Sequence, residues 1–351
     1  MLTDIRLQHF RSYEGAYFEL DPGVNIIVGP NASGKTNLLE AVLVIARGSS
    51  YRVKDTELVQ FDADWARLDA TTMGEMRTVK LVRSGTGVSK SYEFDEQKLA
   101  RLHPSRMLPV VLFEPNHLLL LSGSPDLRRT FLDDLLEQLD VHFGAMRKQY
   151  RRVLTQRNAL LKKNPPNLKE QLFVWNLRLS ELAGQIVKAR VGLLQHFNAS
   201  MSDLYSNLAD RTYQVALEYA TRFDVPAYET QLLHKLETSL DLEVMRGFTA
   251  YGPHRDDMAV LINGYPAQEA ASRGEVRTLV LALKVFELQL LEDSRGQRPL
   301  LLLDDVFSEL DSARRHALTS YLQVYQTFIT TTDADVVAQH FAAANSIVLT
   351  R

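Results

Sequence analysis

The sequence contains no cysteine, which excludes a disulfide framework, thiolate catalysis and thiolate-held metal, and suits a reducing compartment. No apolar run approaches the roughly 20 residues that span a bilayer, and Met1 to Arg6 lacks the apolar stretch of a secretory signal. A cytoplasmic protein with no membrane partner is expected. An excess of one charge is missing too: a net charge of -3 excludes a globally basic nucleic-acid binder, so any such surface must be a local patch. Neither an internal repeat nor a low-complexity tract is present. What is present is a chain of 351 residues, 45% apolar and 24% charged, long enough for two domains or for one large domain carrying an insertion.

Two strings at opposite ends of the chain carry chemistry. Gly29-Pro30-Asn31-Ala32-Ser33-Gly34-Lys35-Thr36 satisfies G-x-x-x-x-G-K-[ST] and follows the apolar run Val24 to Val28. The motif thus has its required context of strand, phosphate-cradling loop and helix. Backbone N–H groups of Ala32 to Thr36 are expected to bind phosphate oxygens at the positive end of that helix. Lys35 is the candidate for the β- and γ-phosphates of ATP, and the Thr36 hydroxyl for Mg²⁺. Leu300 to Leu303 is an apolar strand that ends in Asp304-Asp305. Asp304 is expected beside the Mg²⁺, with Asp305 orienting or deprotonating a water.

Pattern along the chain predicts an α/β protein, a P-loop head with an antiparallel β lobe and an inserted helical arm. Residues 2–48 read as strand, turn, strand, phosphate loop and helix, and Trp65 to Phe94 as short antiparallel strands turning at Ser84-Gly85-Thr86-Gly87. Leu108 to Phe113 forms another strand, stopped at Glu114-Pro115-Asn116, where either Glu114 or Asn116 could reach the nucleotide. Segments 126–163 and 168–208 read as helices reversing at Asn164-Pro165-Pro166-Asn167, because two prolines cannot continue a helix. Beyond Phe248 come a hairpin turning at Asn263-Gly264, a helix from Gly274, the acidic strand, a helix after Asp311, strand Thr327 to Thr331, helix Asp333 to Ala342 and strand Ile347 to Leu349. The domains expected are 1–122 and 247–351, two halves of one head, around an arm at 123–246.

Ser272-Arg273-Gly274-Glu275 opens a helix with a hydroxyl and a backbone-permissive glycine. It resembles the signature loop of ABC-type ATPases, the SMC and Rad50 heads among them, which contacts ATP held by a partner subunit. A plain helix cap by Ser272 is the alternative. Taken together, Phe10-Arg11-Ser12-Tyr13, the phosphate loop with Asn37, Gly48-Ser49-Ser50-Tyr51-Arg52, Gly252-Pro253-His254-Arg255-Asp256-Asp257 and Asp304-Asp305-Val306-Phe307-Ser308-Glu309-Leu310-Asp311 resemble the RecF family, DNA recombination and repair ATPases of the SMC/Rad50-like branch.

That resemblance implies an ABC-type head that dimerises on ATP and hydrolyses it slowly. It implies binding of gapped or duplex DNA without sequence preference, and cooperation with RecR and RecO in loading RecA. It also implies nucleotide contacts from Arg11, Ser12 and Asn37, and a D-loop at Ser308, Glu309, Leu310 and Asp311. Arg273 and Glu275 depart from the glutamines frequent in the family. Thr332 or Asp333 stands where transporters carry a histidine, and Asp305 where they carry glutamate. A small-molecule kinase or another ABC-type ATPase subunit is the competing reading.

The strongest charge asymmetry lies between Val141 and Lys169, where basic residues have no acidic neighbours in sequence. Arg147, Lys148, Arg151 and Arg152 are expected on one helical face that tracks phosphates, with a solvated face as the alternative. Arg52 and Lys54, with Lys80, Arg83 and Lys90, form a second candidate surface. His254, Asp256 and Asp257 read as a structural turn with ion pairs in preference to a metal site.

Overall fold

The computed structural model describes the chain except Asp210, 334–336, Ala338, Ala342, Ala343 and Arg351, and the side chains of Ser308 and Glu309. Half of the expected helix from Asp333 to Ala342 therefore lies outside the described residues. Residues 1–118 together with 287–351 form one compact unit and residues 119–286 another.

In the first unit, β1 (Leu2–Phe10) and β2 (Tyr13–Glu19) are followed by β3 (Val24–Val28), α1 (Lys35–Arg47), α2 (Asp55–Leu58), β4 (Trp65–Thr72), β5 (Glu75–Ser84), β6 (Gly87–Phe94), β7 (Gln97–Leu99) and β8 (Val110–Phe113). The first strand expected from the sequence is thus half of a hairpin that joins the antiparallel lobe, in the order β2-β1-β4-β5-β6-β7. Helix α1 is apolar on nearly every side, from Leu38 to Ala46, and packs against strands of both sheets, the burial such a helix requires.

The second unit holds α3 (Pro125–Leu139), α4 (Phe143–Lys163), α5 (Leu168–Ala209), β9 (Val215–Ala220), α6 (Tyr228–Thr238), α7 (Leu240–Arg246), β10 (Asp257–Ile262), β11 (Tyr265–Pro266) and α8 (Ala267–Ala270). It also holds the greater part of α9 (Arg273–Arg295). The stretch 126–163 is two helices, because the Asp140 side chain accepts the His142 N–H at 2.8 Å and replaces helical hydrogen bonding with a turn. Helix α5 runs for 42 residues, and Asn164, left-handed at φ 43°, caps α4 before the two prolines. Asn263 and Gly264 both take positive φ, the type I′ turn expected between β10 and β11.

The boundary expected at residue 247 lies elsewhere. Residues 247–286 belong with the helices because β10 pairs along β9, and because Arg128, Arg157 and Arg190 reach into the segment 249–257.

Back in the first unit, β12 (Leu300–Asp304), α10 (Val306–Glu309), α11 (Ser312–Leu322), β13 (Thr327–Thr331) and β14 (Ala344–Val348) complete an all-parallel sheet, order β14-β3-β13-β12-β8. Every residue of β12 and β13 is buried, as strands covered on both faces must be. Among the described residues no helix is long and apolar enough to cross a membrane.

Candidate functional site

Parallel strands deliver their C-terminal ends to one edge, where open α/β sheets hold their ligands. Strand β13 pairs with β3 on one side (Thr331 beside Val28) and with β12 on the other (Thr330 beside Asp304). The phosphate loop leaving Val28 and the carboxylate ending β12 are therefore two strands apart, whatever their separation in sequence.

The loop is shaped for an anion. Ala32 (φ 67°) and Gly34 (φ 98°) are left-handed at alternate positions, the conformation that turns successive N–H groups into a concavity. Gly29 has no room for a Cβ, which would lie 2.5 Å from Ser33 Oγ and 2.7 Å from the Leu349 carbonyl oxygen. Lys35 is buried, and its ammonium donates to the Gly29 and Pro30 carbonyls at 2.9 and 3.1 Å, within reach of the concavity. The hairpin turn of β1 and β2 buttresses the loop. Tyr13 donates to the Gly34 carbonyl at 3.1 Å, Asn37 donates to Ser12 Oγ at 2.8 Å, and Arg11 (φ 54°) pairs at 3.0 Å with the fully buried Glu40.

Three hydroxyls converge on Asp304. Thr36 and Thr330 donate to Oδ1 at 3.0 and 2.9 Å, and Tyr51 donates to Oδ2 at 2.9 Å. Thr330 Oγ1 also accepts the backbone N–H of Asp305 at 2.9 Å, which holds Asp305 at a left-handed φ of 56° that is sparsely populated outside glycine. The β8–β12 register sets Phe113 beside Leu303 and so carries Glu114 to the same edge. Burial, foremost, and the charges of Asp304 and Glu114 push the Tyr51 hydroxyl pKa upward, so it stays a proton donor.

These donors suit Mg²⁺. Adjacent vertices of an octahedron with metal–oxygen bonds near 2.1 Å are about 3 Å apart, and Thr36 Oγ1 and Asp304 Oδ1 stand 3.0 Å apart. No group of three or more potential His, Cys, Asp or Glu ligands exists among the described residues.

The structure brings Arg11, Ser12, Gly29 to Asn37, Asp304 and Asp305 into the first unit's sheet edge. Thr330, Tyr51 and Glu114 join them there. Sequence pattern gave no role to Thr330 or Tyr51; the one available signal was the match around Tyr51 to the family's Gly48–Arg52 string. Leu310 is buried, and Asp311 caps α11 by accepting the Arg314 N–H at 3.0 Å. Of the switch candidates, Asp333 donates its N–H to Thr331 Oγ1 at 3.1 Å.

In the second unit, Ser272, Arg273, Gly274 and Glu275 start α9. Ser272 donates its N–H and hydroxyl to Glu275 Oε2 at 2.8 and 2.7 Å and accepts the Glu275 N–H at 3.3 Å, a reciprocal capping box. Tyr213 donates to the other Glu275 oxygen at 3.2 Å. These hydrogen bonds, those from Ser272 first, hold the Glu275 pKa below its ordinary value.

The basic face of α4 divides. Lys148, Arg151 and Arg152 are exposed, but Arg147 turns inward with Phe143, Tyr150 and Arg157. It pairs with Asp133, Asp134 and Glu137 at 2.9 to 3.0 Å, so the expected four-residue face loses one member. The acids that hold Arg147 lie on α3, out of sight of the local sequence. Arg52, Lys54 and Lys80 are exposed, whereas Arg83 donates to three backbone carbonyls and Lys90 pairs with Asp55. The 252–257 string is structural. Asp256 accepts the Tyr219 and Tyr228 hydroxyls at 3.0 and 2.6 Å, and Asp257 takes Arg128 in a two-bond fork at 2.7 and 2.8 Å.

A family model described as "RecF/RecN/SMC N terminal domain" matches residues 1–349. The DNA replication and repair protein RecF of Limosilactobacillus reuteri (strain DSM 20016) is 34% identical over 351 residues, covering 97% of this chain and 94% of its own. RecF of Staphylococcus aureus (strain JH9) is 34% identical over 346 residues, covering 95% and 94%. The solved structure of the recombination mediator protein RecF with ATPrS, from the RecFOR pathway, superposes with a TM-score of 0.87 at 31% identity, over 96% of this chain and 94% of that one. An Smc head bound to the C-winged helix domain of ScpA gives 0.53 at 13% identity, over 97% and 91%, a likeness of fold alone.

Proposed function

This chain belongs to the RecF family of SMC-like ABC ATPases, and on that premise we propose that it is an ATP-gated DNA-binding protein of recombination and repair, acting in the cytoplasm as a homodimer closed by ATP. The observation that carries the reading is the meeting of the phosphate loop with Asp304, through Thr36 and Thr330, at one sheet edge.

In this mechanism the N–H groups of Ala32 to Thr36 and the Lys35 ammonium hold the phosphates, with Lys35 leaving the Gly29 and Pro30 carbonyls for the β- and γ-oxygens. Thr36 and Asp304 are the residues that would hold Mg²⁺, which would supply charge neutralisation at the β- and γ-phosphate oxygens. Asp305, fixed by its N–H bond to Thr330, orients the attacking water and takes its proton. Its side chain is one methylene shorter than glutamate, which suits slow, timer-like hydrolysis that releases the dimer. Ser272 to Glu275 supply the γ-phosphate contact to the partner's ATP, and the D-loop 308–311 lines the same interface. Gapped or duplex DNA binds through phosphates without sequence preference, with Lys148, Arg151, Arg152, Arg52 and Lys54 as contacts. RecR and RecO are the protein partners, and RecA the recombinase they help to load.

The kinase reading does not explain a match that runs through the helical unit as well as the loop. Light scattering tests the proposal: solution mass should double with ATP in the parent chain and not in Lys35→Met. A Ser272 variant and an Asp305 variant, each inert alone, should regain turnover when mixed. A monomer at all ATP concentrations with full turnover would overturn the shared site.

A further inference from the structure

The two oxygens of Asp304 are held from different directions. Oδ1 faces Thr36 and Thr330, while Oδ2 receives the Tyr51 phenol at 2.9 Å. Tyr51 belongs neither to the phosphate loop nor to a strand of the parallel sheet. It stands on the short segment that leaves α1, and that segment is braced at each step.

The Gly48 carbonyl receives Lys90 Nζ at 2.6 Å and the Tyr92 hydroxyl at 3.3 Å, both from β6 of the antiparallel sheet. Gly48 itself is left-handed (φ 77°), and a Cβ there would lie 2.9 Å from the Tyr92 oxygen. Ser50 Oγ accepts the N–H groups of Arg52 and Val53 at 3.0 and 3.2 Å and donates to the buried Glu40. A hydroxyl that accepts two bonds and donates one has no capacity left, so the segment has one well-defined course. Its product is a phenol aimed at the far oxygen of Asp304.

We infer that Tyr51 is a positioning residue for Asp304, clamping Oδ2 so that Oδ1 stays turned toward Thr36 and the metal side of the nucleotide site. The inference rests on the nucleotide reading above. Without the phenol, the carboxylate keeps its charge but is held through Oδ1 alone, by Thr36 and Thr330, so its plane is less well fixed, and metal affinity falls while phosphate binding by the loop does not.

The test is Tyr51→Phe, which keeps the ring and removes one oxygen. Mn²⁺ binding to the ADP-bound protein, read from the electron paramagnetic resonance of free Mn²⁺, should weaken on the order of tenfold, the size of one hydrogen bond to a charged group. ADP affinity in EDTA should match the parent. Half-maximal turnover should need about tenfold more Mg²⁺, with the rate at saturating Mg²⁺ nearly kept. Ser50→Ala, which loosens the segment and leaves the phenol, should give a smaller shift of the same kind. Parent-like Mn²⁺ affinity in Tyr51→Phe overturns the inference and leaves the nucleotide site standing, as does an equal loss of ADP affinity in EDTA. A parent chain that binds neither ADP nor Mn²⁺–ADP overturns both.

Discussion

Thr36 donates its hydroxyl to Asp304 Oδ1 at 3.0 Å across 268 positions of sequence. The sheet sets that distance and the intervening chain does not: β13 lies between β3 and β12 in register, so both ends of the site are fixed by backbone pairing. A second compact unit of any length can be inserted between residues 118 and 287 as long as those three strands pair. The site's precision is a property of β-sheet spacing, which is nearly invariant.

Lys35→Met should separate binding from folding. The methionine fills similar space but leaves the Gly29 and Pro30 carbonyls without their charged donor, at a cost to stability of about 1–3 kcal/mol. ATP affinity should fall by roughly 100-fold or more, since an ammonium bound to phosphate is a charge-assisted donor. Fluorescent-nucleotide titration reads the second effect and urea melts the first. Retained affinity in a folded variant would remove Lys35 from the site.

Asp305→Asn should bind ATP like the parent and turn it over about 100-fold more slowly, the smaller end of what a general base contributes. Asparagine is the cleanest replacement because it also tolerates the left-handed φ of 56°. Alanine would add strain of about 1–2 kcal/mol to the same loss. ATP should therefore trap the Asn variant as a long-lived dimer, visible as a doubled mass that persists after excess nucleotide is removed. Parent-like turnover would move the water-activating role elsewhere, with Glu114 at the same sheet edge as the first place to look.

The phosphate loop and the acidic strand were legible because each is a local rule. A strand, two left-handed positions and a lysine are written consecutively, and a strand buried on both faces must be apolar throughout. Thr330 and Tyr51 obey no such rule. They reach Asp304 through strand register and a braced turn, and threonine or tyrosine in those contexts carries no periodic signal. The same limit holds for α4: its spacing puts Arg147 with Lys148, Arg151 and Arg152, but acids from α3 claim it. Residues 247–286 cluster with the helices, on the other side of the boundary expected at 247, because pairing of β10 with β9 is a long-range contact that local pattern does not carry.

Arg147 and its neighbours should therefore respond differently to substitution. Replacing Lys148, Arg151 and Arg152 together by glutamine should leave stability nearly unchanged and make the slope of log affinity for duplex DNA against log salt shallower by about 2–3, roughly one per lost phosphate contact. Arg147→Met should leave the slope alone and cost about 1–3 kcal/mol of stability, because it removes the cation that Asp133, Asp134 and Glu137 share, while Arg190 still holds Asp133 at 2.8 and 3.0 Å. Arg157→Met should cost more, about 3–5 kcal/mol, since its partner Glu243 is fully buried. Anisotropy titrations at several salt concentrations and urea melts check these values. A parent-like slope in the triple variant would place the DNA surface elsewhere.

Acid should weaken the fold through His254. The Thr249 carbonyl can only accept, so Nε2 carries the proton and donates to it at 3.2 Å, and Nδ1 accepts the Tyr150 hydroxyl at 2.6 Å. The ring is thus satisfied as neutral. Burial, foremost, lowers its pKa from 6.5 to about 4, with Arg255, Arg129 and Arg157 adding to the fall and the Thr249 bond opposing it. The unfolded chain binds a proton at this residue below pH 6.5 and the folded chain does not until near pH 4, so stability must fall as pH drops through that window, by at most about 3 kcal/mol. Asp256, whose pKa burial raises, has the opposite sign: it takes up a proton in the folded state first and returns part of that loss at the acid end. Urea midpoints between pH 7.5 and 4.5 should slope downward in the parent and flatten in His254→Gln. An equal slope in both would mean that this ring does not govern the acid limb, and that the lowered histidine pKa has no thermodynamic weight in the fold.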